Sequence, residues 1–234
     1  MDQPGTTGGP TAAGQPGAPI ADWLDAVRRA GPAEGANPGE RVNRNVARGE
    51  ATRGQLIAIA TRMFAERGYE DTSIEAVLRE AGVSRGSLYH HFAGKEALFE
   101  AVVKEIDAFI AAQTIAAASG ADGPVAALRA AFLTWIRLAG DPVVRQIVLI
   151  DAPSVFGWER WRSMDEEALS VLRGVLQAIA DQGKLRPELV GTLAHVLLAA
   201  VNEVALLVAR SDDKDAAMQA GADTIDELLQ RLFG

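Results

Sequence analysis

The sequence predicts an all-α fold from about Thr52 onward, on three observations. Apolar residues recur at helical spacing, glycine and proline are confined to the boundaries between these stripes, and no alternation of period two is sustained. The 234 residues, 48% hydrophobic and 23% charged, suffice for a sizeable core in one or two domains.

Residues 1–50 read as a mostly disordered extension, with Gly, Pro, Ala and Thr dominating the first twenty. Within it, residues 20–29 form a short amphipathic piece. It reads either as a transient helix or as a docking segment anchored by Trp23. Leu56, Ile57, Ala60, Met63 and Phe64 then make a helical stripe that Arg67-Gly68-Tyr69 ends. Thr72 or Ser73 caps the next helix, with Glu75 placed for a capping box, and Gly82 follows its end. Ser84 caps a short third helix, Arg85 to His91, and Gly94-Lys95-Glu96 opens a long fourth. Beyond the break at 120–124, helical patterns run over about 125–139, 143–150, 158–182, 188–210 and 214–233.

Composition excludes several classes. With no cysteine, disulfides, thiolate metal sites and a catalytic thiol are excluded. The start, Met1-Asp2-Gln3-Pro4-Gly5, has neither the basic nor the apolar part of a secretory signal, so a cytoplasmic location is expected. No apolar run reaches the ~18 residues of a membrane span; Asn202 and Glu203 interrupt the nearest one, so no membrane partner is expected. No nucleophile–base signature, phosphate loop or metal-ligand spacing stands out, and neither an enzyme nor a cofactor is expected. The adjacent His90 and His91 point about 100° apart on a helix, which disfavours a shared metal.

Net charge is −8, but it is unevenly spread. Over 41–67, Arg41, Arg44, Arg48, Arg53, Arg62 and Arg67 face only Glu50 and Glu66, or +4. The basic region thus lies just ahead of residues 73–92, where two short helices joined by a tight turn at Gly82 make helix-turn-helix architecture. Val83 and Leu88 can plug the second helix onto the first, leaving Arg85, Gly86, Ser87 and His90 outward, where such helices meet base edges. Arg53 reads as a groove contact or as a solvated surface charge.

The run Gly68-Tyr69, Thr72-Ser73-Ile74, Ala81-Gly82-Val83-Ser84, Leu88-Tyr89, His91-Phe92, Lys95-Glu96 and Leu98 resembles the DNA-binding domain of the TetR/AcrR family of transcriptional regulators. The resemblance covers Thr52 to Ala101. It implies a three-helix DNA-binding domain at 51–101 joined to a helical effector-binding and dimerisation domain at 102–234. It also implies roles. Thr72 and Ser73 would contact phosphate, Ser84, Arg85, Gly86, Ser87 and His90 would read or approach bases, Tyr89 and His91 would face the backbone, and Lys95 would clamp a phosphate. Phe92 reads as core.

For the C-terminal region the signal is weaker. Phe132, Trp135, Phe156, Trp158 and Trp161 are candidates for lining an apolar effector pocket, with ordinary core packing as the alternative. His195 and Asn202 share a helix face and read as pocket, interface or satisfied buried groups. The broad apolar faces of the last two helices suit pairing with a symmetry mate. The expectation is a repressor that binds a near-palindromic double-stranded DNA operator as a homodimer and is released by a small apolar effector. The alternative is a DNA-binding regulator without one, either an activator or one controlled by a protein partner.

Overall fold

The structure is a computed structural model that describes Ile20 and residues 40–234, with side chains described at Ile20 and from Gly49 onward, Trp158 and Arg162 excepted. Among the described residues every regular element is helical. The amphipathic piece at 20–29 lies outside the described residues apart from Ile20, which is 1% exposed in the same core cluster as Leu56, Phe64 and Leu88.

Helix α1, Glu40–Arg67, starts earlier than its apolar stripe. Residues 40–50 carry only Val42 and Val46 as large apolar side chains, so no periodicity marks them. They extend a helix already nucleated by the packed part, and propagation costs little once a nucleus exists. They are therefore helical where the sequence had suggested an unstructured extension. Gly68, at φ 79°, ends α1 in the left-handed region open to glycine.

Helices α2, Ile74–Ala81, and α3, Arg85–His91, follow their local signals closely. Ser73 Oγ accepts from the Ala76 N–H at 3.1 Å, and Ser84 Oγ accepts from the Ser87 N–H at 3.2 Å. Gly82, at φ 65°, closes α2. The expected capping box is not made: Glu75 turns to Arg85 at 2.6 Å instead. Helix α4, Lys95–Ser119, runs unbroken from the N-terminal head into the C-terminal body. Leu56, Phe64, Leu88, Leu98 and Phe99, each 0% exposed, make the head's core. Phe64, Tyr69 and Phe99 pack ring to ring, with centroids 4.8–5.8 Å apart.

The body begins with α5, Pro124–Ala139, and α6, Pro142–Val144. A π-helical segment, Arg145–Asp151, leads into α7, Ala152–Phe156. Pro153 has no N–H to return to the turn before it, and the widened turn lies directly ahead of it. Helices α8, Trp158–Met164, and α9, Glu166–Asp181, are separate, broken at Asp165, where the sequence had suggested a single helix. A 3-10 turn, Pro187–Leu189, precedes α10, Val190–Arg210, and α11, Lys214–Phe233, completes the chain.

A second core joins α5, α9, α10 and α11 through Ile136, Leu176, Ile179, Leu197, Val201 and Leu229. Trp135 packs against both cores. The segment Pro187–Arg210 is, by length and a mean hydropathy of 1.9, apolar enough to cross a membrane, despite Asn202 and Glu203. Here one face of it is core, with Ala194, Leu197, Val201, Ala205 and Val208 buried, and the opposite face exposes Val196 and Leu207.

Candidate nucleic-acid interface

Helix α3 is fixed from behind and open in front. Leu88 is fully buried, and Phe92 just past the helix is 5% exposed. Arg85, Gly86, Tyr89 and His90 face solvent, and Ser87 is half-buried. Tyr89 is 48% exposed, so its ring is a surface group and not a core one. Ser84 and Ser73 are exposed too; each hydroxyl oxygen already caps its helix, and each N-cap is an outward polar group. Together these residues form one polar surface around the N-terminal half of α3, the geometry that a DNA groove admits.

The Arg85 guanidinium pairs with Glu75 and lies 5.9 Å from the Tyr89 ring centre. Both partners of the ion pair are exposed, which keeps it weak in water and exchangeable for another acceptor. Lys95 Nζ donates to the Glu70 carbonyl at 3.1 Å and sits 4.2 Å from the Tyr69 ring centre. This places a cation at the first residue of α4, beside the α1–α2 loop.

His91 is half-buried, and a Cβ added at Gly49 would lie 3.8 Å from its Cε1, so the imidazole stands against the first half of α1. Burial, with His90 and Arg53 nearby, lowers its pKa and favours the neutral ring. His90 and His91 lie 5.2 Å apart with rings inclined at 73°. Among the described residues no group of three His, Cys, Asp or Glu gathers around a metal-sized site. Arg53 is exposed, lies 5.5 Å from the Phe92 ring centre and 3.9 Å from Glu105. Arg41, Arg44 and Arg48 lie on α1, and their side chains are outside the described residues.

Two expected site residues are placed elsewhere. Thr72 is 1% exposed, and its hydroxyl points at the Gly68 and Met63 carbonyls, 2.9 and 3.2 Å away. It ties the α1–α2 loop together and offers no free hydroxyl to a phosphate. His195 is exposed on α10, with Nε2 3.3 Å from Arg173 Nη2, and so lines no interior cavity.

The candidate pocket aromatics divide between the two cores. Phe132 is 6% exposed in the second core, whereas Phe156 packs on Phe99 at 5.5 Å and Trp161 lies against the first. The Trp158 side chain is outside the described residues. Trp135 is the junction: its Nε1–H donates to Asn202 Oδ1 at 2.9 Å.

A residue not singled out in sequence stands where head meets body. Asp151 Oδ2 accepts the Tyr69 N–H at 2.8 Å, and Gln146 Nε2 donates to Asp151 Oδ1 at 3.1 Å. Burial is the main influence on this carboxyl and raises its pKa, against the lowering effect of those two hydrogen bonds. No local signal could reveal the contact, because 82 positions separate its partners.

The class that this fold and surface define is a helix-turn-helix DNA-binding regulator. Residues 56–102 match the family described as bacterial regulatory proteins, tetR family, and residues 125–232 match the tetracyclin repressor-like C-terminal domain. A solved TetR-family transcriptional regulator from Pectobacterium atrosepticum is 30% identical, covers 80% of this chain and 96% of its own, and superposes with a TM-score of 0.70. A TetR-family regulator from Streptomyces coelicolor shares the fold at 20% identity, with 78% and 96% covered and a TM-score of 0.64. The repressor AcnR of Corynebacterium efficiens is 28% identical over 155 residues, 64% of this chain and 77% of that protein. The repressor KstR2 of Mycobacterium tuberculosis is 44% identical over 52 residues, 22% of this chain and 26% of that protein. The chain belongs to the TetR family of transcriptional regulators and is a non-enzymatic DNA-binding protein.

Proposed function

We propose that the protein is a transcriptional repressor that binds a near-palindromic operator as a homodimer through α3, and that a small apolar effector releases it. The observation that carries this reading is the outward row Ser84, Arg85, Gly86, Tyr89 and His90 on a short helix anchored by Leu88. Arg85 is the base-reading candidate, since its planar fork suits a guanine edge. Ser73, Ser87 and Tyr89 offer hydroxyls, and Lys95 a cation, to the phosphates. The repressor assignment is supported by the names that AcnR and KstR2 carry.

A dimer is supported by the exposed Val196 and Leu207 on α10. An effector is supported by Trp135, half-buried between the two cores, with Asn202 as its polar partner and Phe132 one turn before it on α5. Few polar groups among aromatic walls suit an apolar ligand of small size. Its place of action is with the DNA, in the cytoplasm.

In vitro selection from a random duplex library with the purified protein tests the DNA reading. A near-palindromic consensus is expected, and enrichment of no sequence overturns it. Titration of candidate apolar compounds while following tryptophan emission tests the effector. A compound that releases DNA without altering that emission counts against the Trp135 site.

A further inference from the structure

Where the head meets the body, the loop 68–73 between α1 and α2 is held from both sides. On the body side, Asp151 Oδ2 takes the Tyr69 N–H at 2.8 Å, while Gln146 holds the other carboxylate oxygen at 3.1 Å. Gly68 permits the approach: its φ of 79° suits glycine, and a Cβ there would lie 3.5 Å from Gln146 Nε2 and 3.8 Å from Asp151 Oδ2. On the head side, the Tyr69 ring lies 4.2 Å from the Lys95 ammonium, and Lys95 also bonds the Glu70 carbonyl. The loop thus joins the carboxylate of Asp151 in the body to the start of α4 in the head.

The π-helical segment that carries Asp151 and Gln146 also buries Ile147 and Val148 in the head's core cluster. Its turn is the widened one, whose packing with the rest of the body sets where the carboxylate stands. A second polar strut between head and body is Arg160 on α8, which reaches Glu96 at 2.7 Å and also Glu100. All three of its side chains retain contact with water, and such pairs are weakly held. A carboxylate accepting a backbone N–H is directional and charge-assisted, and fixes an angle better.

We propose that Asp151 is a positioning residue for operator binding: by holding the Tyr69 N–H it sets the angle of each reading head on its body, and so the half-site spacing that the dimer accepts. The proposal rests on the two-headed reading above. A head bound to one half-site does not depend on that angle. Two heads bound together do, because both recognition helices must meet the groove at a fixed separation. With the clasp broken, a loose head reaches a wrong spacing at little cost and loses more ordering entropy on the right one.

The probes are the operator selected by the wild-type protein, the same duplex with one base pair inserted or deleted at its centre, and a single half-site. The wild type is expected to bind the selected spacing at least about thirtyfold more tightly than the altered ones. Asp151→Ala should bind the selected operator about tenfold more weakly, cut that ratio to a few-fold, and leave half-site affinity unchanged. Asp151→Asn retains an oxygen for the Tyr69 N–H and should restore the wild-type ratio, which mere destabilisation would not do.

An Asp151→Ala protein with the wild-type spacing ratio overturns the proposal, whatever its overall affinity. So does an Asp151→Asn protein that behaves like Asp151→Ala. If Asp151→Ala does not give a wild-type circular dichroism spectrum, Gln146→Ala frees the other side of the carboxylate and is judged by the same ratio, an unchanged value again overturning it. A wild type indifferent to spacing instead overturns the two-headed reading itself.

Discussion

Arg85 and Lys95 are both cations of the reading head, yet DNA should meet them differently. Arg85 stands on the exposed front of α3, with an exposed Glu75 as its ionic partner among the described residues, a pair worth roughly 0–1 kcal/mol. A guanine edge can replace that partner with two hydrogen bonds. Arg85→Ala should therefore relax the choice of base at one position in each half-site by about 1–3 kcal/mol and leave the other positions as they were, which repeated selection with the variant would measure. Lys95 carries no base-directed geometry: its ammonium is a point charge at the start of α4. Lys95→Ala should weaken all sequences alike and lower the slope of log K against log salt by about 0.9 for each half-site bound. A base-specific loss in that variant would refute the phosphate assignment. Thr72 marks the limit of residue-by-residue reading. Thr72 and Ser73 are adjacent hydroxyls that look interchangeable as caps and phosphate ligands, and only the Met63 and Gly68 carbonyls decide which turns inward. His195 is the same case, since nothing in its neighbours along the chain says which face of α10 is the outer one.

The helices of the head were legible because their ends are written locally. Ser73, Gly82 and Ser84 each satisfy or terminate a turn within a few residues, so α2 and α3 could be bounded without knowledge of the rest. The body was less legible. The π-helical segment and the break at Asp165 depend on how helices stack, and a hydrophobic period carries no record of a turn one residue too wide. Two glycines show how element packing alone decides the sign of a substitution. Gly221, buried in α11, faces α10 so closely that an added Cβ would come within 3.0 Å of Val204 Cγ1, 3.6 Å of Val208 Cγ2 and 3.8 Å of Ile136 Cγ2. Gly221→Leu should force these helices apart and cost about 1–3 kcal/mol. Gly174, exposed in the middle of α9, has nothing within 4 Å of its Cβ direction. Gly174→Ala should instead stabilise by up to about 1 kcal/mol, through helix propensity and a less flexible unfolded chain. Urea unfolding of both variants checks the pair, and like signs would contradict the packing argument.

Across the whole molecule, stability and assembly carry the remaining consequences. Asp107 on α4 is half-buried near the acidic Asp165 and Glu167, and its pKa is pushed up from 3.8 to about 7, desolvation being the larger cause. Between those two values the unfolded chain has lost this proton and the folded chain has kept it, so folding stability falls as pH rises through that window. Asp107→Asn should raise Tm at pH 8 and change it little at pH 4, the gain at pH 8 being on the order of 1–3 kcal/mol. A thermal series across that range reads the difference, and equal shifts at both pH values would contradict the burial argument. Assembly turns on the outer face of α10. Val196 and Leu207 are 56% and 61% exposed, and eleven residues apart they return to the same side of the helix. Glu203 is also exposed on that helix, four residues before Leu207. Among the described residues this face, apolar but for Glu203, has no partner, and in the proposed dimer a second copy would present the same face to it. In an isologous interface a substitution appears twice. Leu207→Glu would place a charge at the interface in each copy, beside the existing Glu203, and an unpaired buried charge costs about 3–5 kcal/mol. The dimer dissociation constant should therefore rise on the order of a thousandfold or more. In sedimentation, the variant should run as a folded monomer and the wild type as a dimer. It should keep its affinity for a single half-site and lose its preference for the full operator, because only the link between the heads has been removed. A variant that stays dimeric would move the interface off this face of α10.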